Sequence, residues 1–188
     1  MESNAQLISF LAPLLGVVIG GLITITATFV PLWWKRREDK RTMAQSLSFD
    51  LDVFAVACAE IVEDNEDKTQ KYPSSTVVPE VPQLRNDLNS STLRRDLYTR
   101  HNEIRLLEKL SASHIRFYET DLGEREWAAD QTADYCAKLG FDALILARDI
   151  REYVGISEPN YSHLSWDFEK VLRERSNRVE AKKIESKG

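Results

Sequence analysis

The sequence predicts an all-α protein: one N-terminal transmembrane helix followed by a cytosolic antiparallel bundle of three or four helices. Three observations predict it. Residues Ser3 to Trp34 contain no Asp, Glu, Lys, Arg or His. After them, apolar residues recur at intervals of three and four, the helical period. Only seven glycines occur, and no Asn-Gly or Asp-Gly pair is present, so the hairpin signals of a β domain are missing.

The apolar centre of the first segment, Leu11 to Val30, would rise about 30 Å as a helix, the thickness of a bilayer's hydrocarbon core. Lipid offers no partners to backbone N–H and C=O groups, so a helix is the form such a segment takes. All 25 Lys and Arg residues follow Trp34, and Lys35, Arg36 and Arg37 follow it at once. Basic residues flanking a span stay in the cytoplasm. The expected layout is a short extracytoplasmic N-terminus over 1–6, a transmembrane helix over 7–34, and the rest of the chain on the cytoplasmic side of an inner membrane. Trp33 and Trp34 suit the interfacial aromatic belt, and with Lys35, Arg36 and Arg37 they form the expected membrane interface. A cleaved secretory signal fits poorly, because no basic region precedes the apolar stretch and the stretch is too long.

Within the span, Ala12, Gly16, Gly20, Thr24 and Thr28 recur every four positions and contain one Gly-x-x-x-Gly. Such a face lacks bulk, lets a second backbone approach, and offers hydroxyls for hydrogen bonds across the contact. The expectation is self-association of the span into a homo-oligomer. No ionisable group lies in the span to support an ion pathway.

A juxtamembrane helix is expected over 35–66. Ala44, Leu47, Leu51, Phe54, Cys58 and Ile61 mark its core face, with Asp50, Asp52, Glu60 and Glu63 on other faces. Cys58 on this seam reads as a small buried hydrophobe. The acids Glu60, Glu63, Asp64, Glu66 and Asp67 oppose the helix dipole and read as a solvated end leading into a loop. Residues 67–91 form that loop, with Pro73, Pro79 and Pro82 breaking any helix. Lys71-Tyr72-Pro73 and Val77-Val78-Pro79 are its segments able to dock, on a partner or on the domain.

The helical bundle is expected over 92–175. Ser90, Ser91 and Thr92 offer N-caps to a helix whose face is Leu93, Leu97, Ile104, Leu107 and Leu110. Ser111 to Ser113 offer a restart, and Gly123 weakens the helix. Tyr135, Leu139, Ala143, Leu146, Ile150 and Tyr153 give the strongest helical pattern, stopped by Gly155. Ser165 is placed to cap a last helix carrying Phe168, Val171 and Leu172. Residues 176–188 read as a charged, fraying tail.

Beyond Trp34 the net charge is −4, once Glu2 is set aside from the total of −5. A general nucleic-acid binder needs a broad basic face, so no nucleic-acid partner is expected. The two cysteines, Cys58 and Cys136, lack metal or redox spacing and read as free thiols in a reducing compartment. No catalytic, cofactor-binding or metal-binding residues are assigned. The phosphate loop, the nucleophile elbow and the zinc-protease helix are all missing. Tyr98 and His101, with Phe117 and Tyr118, are the polar-aromatic group nearest to a site, and read as packing between helices.

Tyr98-x-x-His101, Leu106-Leu107 and Ile115-Arg116-Phe117-Tyr118, behind a glycine-containing span with a Trp-Lys/Arg exit, resemble uncharacterised bacterial single-span inner-membrane proteins. The resemblance implies a helical hairpin domain on a membrane anchor and carries over neither activity nor catalytic residues. The functional expectation is a membrane-anchored scaffold or interaction protein. It would self-associate through its span and present the bundle to a cytosolic protein partner, with the lipid bilayer itself as a further partner. The alternative is a membrane-disrupting effector of a bacterial defence or toxin system, with the bundle as its sensing domain.

Overall fold

The structure, a computed structural model, describes residues 2–67, 75–84, 93–161 and 166–185, with side chains described at Thr24 and from Thr26 onward. Every element among these residues is helical. They are α1 (Glu2–Glu66), α2 (Arg95–Arg116), a π-helical turn (Phe117–Asp121), α3 (Arg125–Val154) and α4 (Phe168–Glu185). The chain divides into two compact units, Met1–Thr42 and Met43–Gly188. The expected division at 34/35 thus lies inside one helix, and Pro31 does not interrupt it. Among the described residues no helix is long and apolar enough to cross a membrane. Most of the run Leu11 to Val30 lies outside the residues whose side chains are described.

In the unit Met43–Gly188 the core begins with α1. Ala44, Leu47, Leu51, Phe54 and Cys58 are buried as the three-four spacing requires. At the end of the stripe Val62 is buried and Ile61 only partly so. Helix α3 is the central element. Its buried residues include Ala128, Ala129, Ala133, Ala137, Gly140, Ala143 and Ala147, which hold neighbouring helices close, between the larger Leu139, Leu146 and Ile150. Both α2 and α4 pack on α3.

Specific contacts give the directions. Arg100 meets Asp149 and His114 meets Tyr135, so α2 and α3 run antiparallel. Asp52 meets Arg151 and Asn65 meets Ala129, so α1 and α3 do too. Arg148 meets Glu169 and Asp134 meets Arg175, so α3 and α4 follow the same rule.

The helix ends follow local chemistry. Gly155 is left-handed, with φ 67°. Its N–H bonds Glu152 O, and the Ile156 N–H bonds Arg151 O, the Schellman pattern. Gly123 (φ 71°) separates the π-helical turn from α3. The start of α4 is capped by Asp167, whose Oδ1 accepts from the Lys170 N–H at 3.0 Å. The expected caps Ser90, Ser91, Thr92 and Ser165 lie outside the described residues.

Three expectations need correction. Helix α2 runs unbroken past Ser111, whose hydroxyl bonds Glu108 O. Its buried face is Leu97, His101, Ile104, Glu108, Ser111 and Ile115, whereas Leu110 is 59% exposed. Third, the segment 176–188 read as a tail is helical to Glu185, and Ser176 at its start is buried, as is Arg175 just before it. Its inward face continues from Phe168 and Leu172 with polar residues, so no apolar period announces it.

The loop docks on its own domain. Val78 and Val81 are buried, while Val77 is exposed. The Asn65 amide donates to Ser75 O and Ala129 O, both at 2.9 Å, and accepts from the Ser75 N–H at 2.8 Å. Lys71-Tyr72-Pro73 lies outside the described residues.

Candidate functional site

The expected membrane interface sits on α1 in the unit Met1–Thr42. Phe29, Val30, Leu32, Trp33 and Trp34 are each at least 50% exposed. At about 100° per residue, these five and Pro31 step round the whole helix circumference. The Arg37 guanidinium lies over the Trp33 ring, 5.6 Å from its centroid, one turn further along. Lys35 and Arg36 are exposed beside it. The expected association face is described only at Thr24 and Thr28, and there the Thr28 hydroxyl donates to Thr24 O at 2.8 Å within its own helix. Ala12, Gly16 and Gly20 lie outside the residues whose side chains are described.

The polar centres of the bundle are buried. Asp52, expected on an outer face of α1, is buried beside Arg151. Its Oδ2 accepts from the Arg151 guanidinium and, at 2.6 Å, from the Tyr161 hydroxyl. Arg151 also donates to Ser48 O at 3.3 Å. Burial pulls the Arg151 guanidinium below its ordinary pKa, against the pull of Tyr161 and Glu158. Burial likewise pushes the Tyr161 hydroxyl up, ahead of the opposing effect of Arg151.

A second centre is Arg175 on α4. It donates to Asp134 at 2.5 Å, Asp130 at 2.6 Å and Glu66 at 3.1 Å, and Arg178 adds a bond to Glu66 at 2.6 Å. Burial opposes the charge of Arg175, but the Asp130 hydrogen bond and the nearby Asp134 outweigh it, so its pKa is raised. Part of the acidic end of α1 is therefore a docking point for α4, which corrects its reading as a solvated terminus.

His101 and the Phe117/Tyr118 pair stand apart. They share one continuous helical run sixteen and seventeen residues apart, about 25 Å along the axis. His101 is fully buried and its Nε2 donates to Pro82 O at 2.9 Å. Tyr118 instead lies against Trp127, with centroids 3.7 Å apart, beside His114. His114 Nδ1 and the Tyr135 hydroxyl share a hydrogen bond of 3.1 Å. Among the described residues no group of three His, Cys, Asp or Glu side chains is placed to hold a metal.

Exposed apolar residues occur on several elements of the bundle, Phe49 and Val53 on α1 among them, and three of them line up along α2 and its π-helical end. Leu106, Leu110 and Phe117 fall within about 40° on the helix circumference, forming one stripe. Two adjoining hollows, of about 330 Å³ and 320 Å³, share Leu107 and Lys138 and extend over α3 to Val179 of α4. Sequence reasoning missed the stripe because it assigned Leu110 to the core. It missed Arg151 and Arg175 because their carboxylate partners are distant in the chain.

No protein family, curated protein or solved structure matches this chain.

Proposed function

We propose that the protein is a single-pass inner-membrane scaffold. Its N-terminal end lies outside, its span self-associates, and its helical bundle is held in the cytoplasm to receive a protein partner. The observation that carries this reading is the apolar collar Phe29 to Trp34, exposed on all sides of α1 and followed at once by Lys35, Arg36 and Arg37. In water this collar would expose two indoles and three further large side chains. At a bilayer boundary the rings take the interface and the cations meet anionic headgroups. The uncharged run from Ser3 supplies the length that a span needs.

The small-residue series Ala12, Gly16, Gly20, Thr24 and Thr28 supports self-association, because it removes bulk from one face. The stripe Leu106, Leu110 and Phe117, beside the trough over α3, supports a protein-binding role for the bundle. Replacing Gly16 and Gly20 together by Ile should leave the chain in alkaline-washed membranes and reduce its dimer signal in a membrane-association assay severalfold. An unchanged dimer signal would remove self-association, and recovery of the wild-type chain in the carbonate wash would remove the anchor.

A further inference from the structure

The chain has only two cysteines, 58 and 136, and the fold brings them together. Both are free thiols in the core, each with no exposed surface. Helices α1 and α3 approach closely at this level. A Cβ built on Gly140 would stand 2.8 Å from the Cβ of Cys58 and 2.9 Å from the Leu172 side chain of α4, so the helices are closely packed there. Cys136 lies one turn before Gly140 on the same face of α3. That position places Cys136 next to Cys58 across the helix contact, and the Cys136 thiol is among the groups that act on the Cys58 thiol.

We propose that Cys58 and Cys136 form an oxidisable pair that staples α1 to α3. The oxidant is of the peroxide class. One thiolate attacks a peroxide oxygen, the O–O bond breaks, and a sulfenic acid and one water result. The second sulfur then attacks the sulfenic sulfur, the S–O bond breaks, a second water leaves, and the S–S bond closes. Two thiols and one hydrogen peroxide give one disulfide and two waters, so each sulfur loses one electron and the peroxide takes up two. A dithiol reverses the bond by exchange.

Burial sets when this happens. Removal from water, then the neighbouring Cys136 thiol, pushes the Cys58 thiol up, so thiolate is scarce in the closed fold. Reaction therefore tracks local opening of α1 from α3. In a reducing compartment the pair rests as thiols. Under oxidant the staple closes on chains whose bundle has begun to loosen. The bond would link positions about 80 residues apart and restrict the unfolded chain accordingly.

The test uses the full chain in detergent micelles, exposed to hydrogen peroxide and, in parallel, to diamide. The expected product is a monomer lighter by two hydrogen masses, closed to iodoacetamide and yielding one Cys58–Cys136 cross-linked peptide. Its folded-to-unfolded ratio should rise by about thirtyfold or more, and dithiothreitol should reverse both changes. Cys58→Ser and Cys136→Ser should each abolish the cross-link while keeping the helical signal. The wild-type mass and labelling readouts stand whether or not the variants fold. The proposal is overturned if the folded chain stays reduced while the guanidinium-unfolded chain oxidises. It is also overturned if only sulfinic acid or intermolecular disulfide forms, or if the stapled chain is less stable than the reduced one.

Discussion

At the scale of single residues, the bundle depends on polar groups that only their partners make tolerable. Arg151 is 6% exposed, and Asp52 is its carboxylate partner. Asp52→Ala leaves a guanidinium in the core without a counter-charge, a change that costs about 3–5 kcal/mol. The loss should appear as a lower urea midpoint. Asp52→Leu combined with Arg151→Met replaces the pair with apolar bulk and should recover most of it, because the desolvation cost of both charges disappears. A double variant as unstable as Asp52→Ala would show that the pair does more than satisfy itself. His101 gives a pH dependence of definite sign. Burial holds it below its ordinary pKa, against the Pro82 carbonyl and with help from Arg105. As pH falls through about 6.5, the unfolded chain takes up the proton first. The stability contributed by neutral His101 is present above that value and is lost as pH drops toward the lower folded value. His101→Gln keeps an N–H donor for the Pro82 carbonyl but cannot titrate. Denaturant curves between pH 8 and 5 should therefore fall less steeply for the variant, and equal slopes would assign the acid lability elsewhere.

At the scale of elements, what could be read in advance was what periodicity carries. The seam Ala44, Leu47, Leu51, Phe54 and Cys58 was readable because each inward position is apolar and spaced by three or four. The stop at Gly155 was readable because a left-handed residue without a Cβ ends helices cheaply. Helix α2 misled where its inward positions are polar. His101 donates from Nε2 to Pro82 O of the loop, and Glu108 pairs with Lys109 at 3.2 Å, whereas Leu106 and Leu110 face outward. Helix α4 was cut short for the same reason, since Arg175 is held by three carboxylates from α1 and α3. Of the expected interface, Trp33 to Arg37 are exposed. The bundle's own apolar stripe depends on which side of α2 meets α3, and one sequence does not encode that separately. Gly155 provides the element-scale test. Its Cβ position is open, with nothing within 4 Å, so Gly155→Ala meets no clash and the whole penalty comes from φ. A loss of about 1–2 kcal/mol in denaturant unfolding is expected. A neutral result would mean that the helix end had rearranged around the alanine.

At the scale of the molecule, the two units answer to different demands. Among the described residues, the buried apolar core lies between Ala44 and Leu172. The ion-pair junctions Asp52–Arg151 and Glu66–Arg175 lie within Met43–Gly188 as well, and each joins α1 to a later helix. The unit Met1–Thr42 carries the collar and the basic cluster instead. The proposed anchoring would thus put folding stability and membrane attachment on separable lengths of chain, although one helix, Glu2–Glu66, passes through both. A chain begun at Met43 should therefore keep a cooperative urea transition within about 0.5 kcal/mol of the full chain, since additivity holds for regions that share no partners. It should lose helical signal only in proportion to the residues removed, and it should no longer sediment with vesicles containing anionic lipid. Because Asp52, Arg151 and Tyr161 remain together in the shorter chain, Asp52→Ala should cost it as much as it costs the full one. A collapsed midpoint in the chain begun at Met43 would place part of the bundle's stability in the first 42 residues. Retained sedimentation would move the attachment from the collar to the bundle, where the Leu106, Leu110 and Phe117 stripe would be the surface to mutate next.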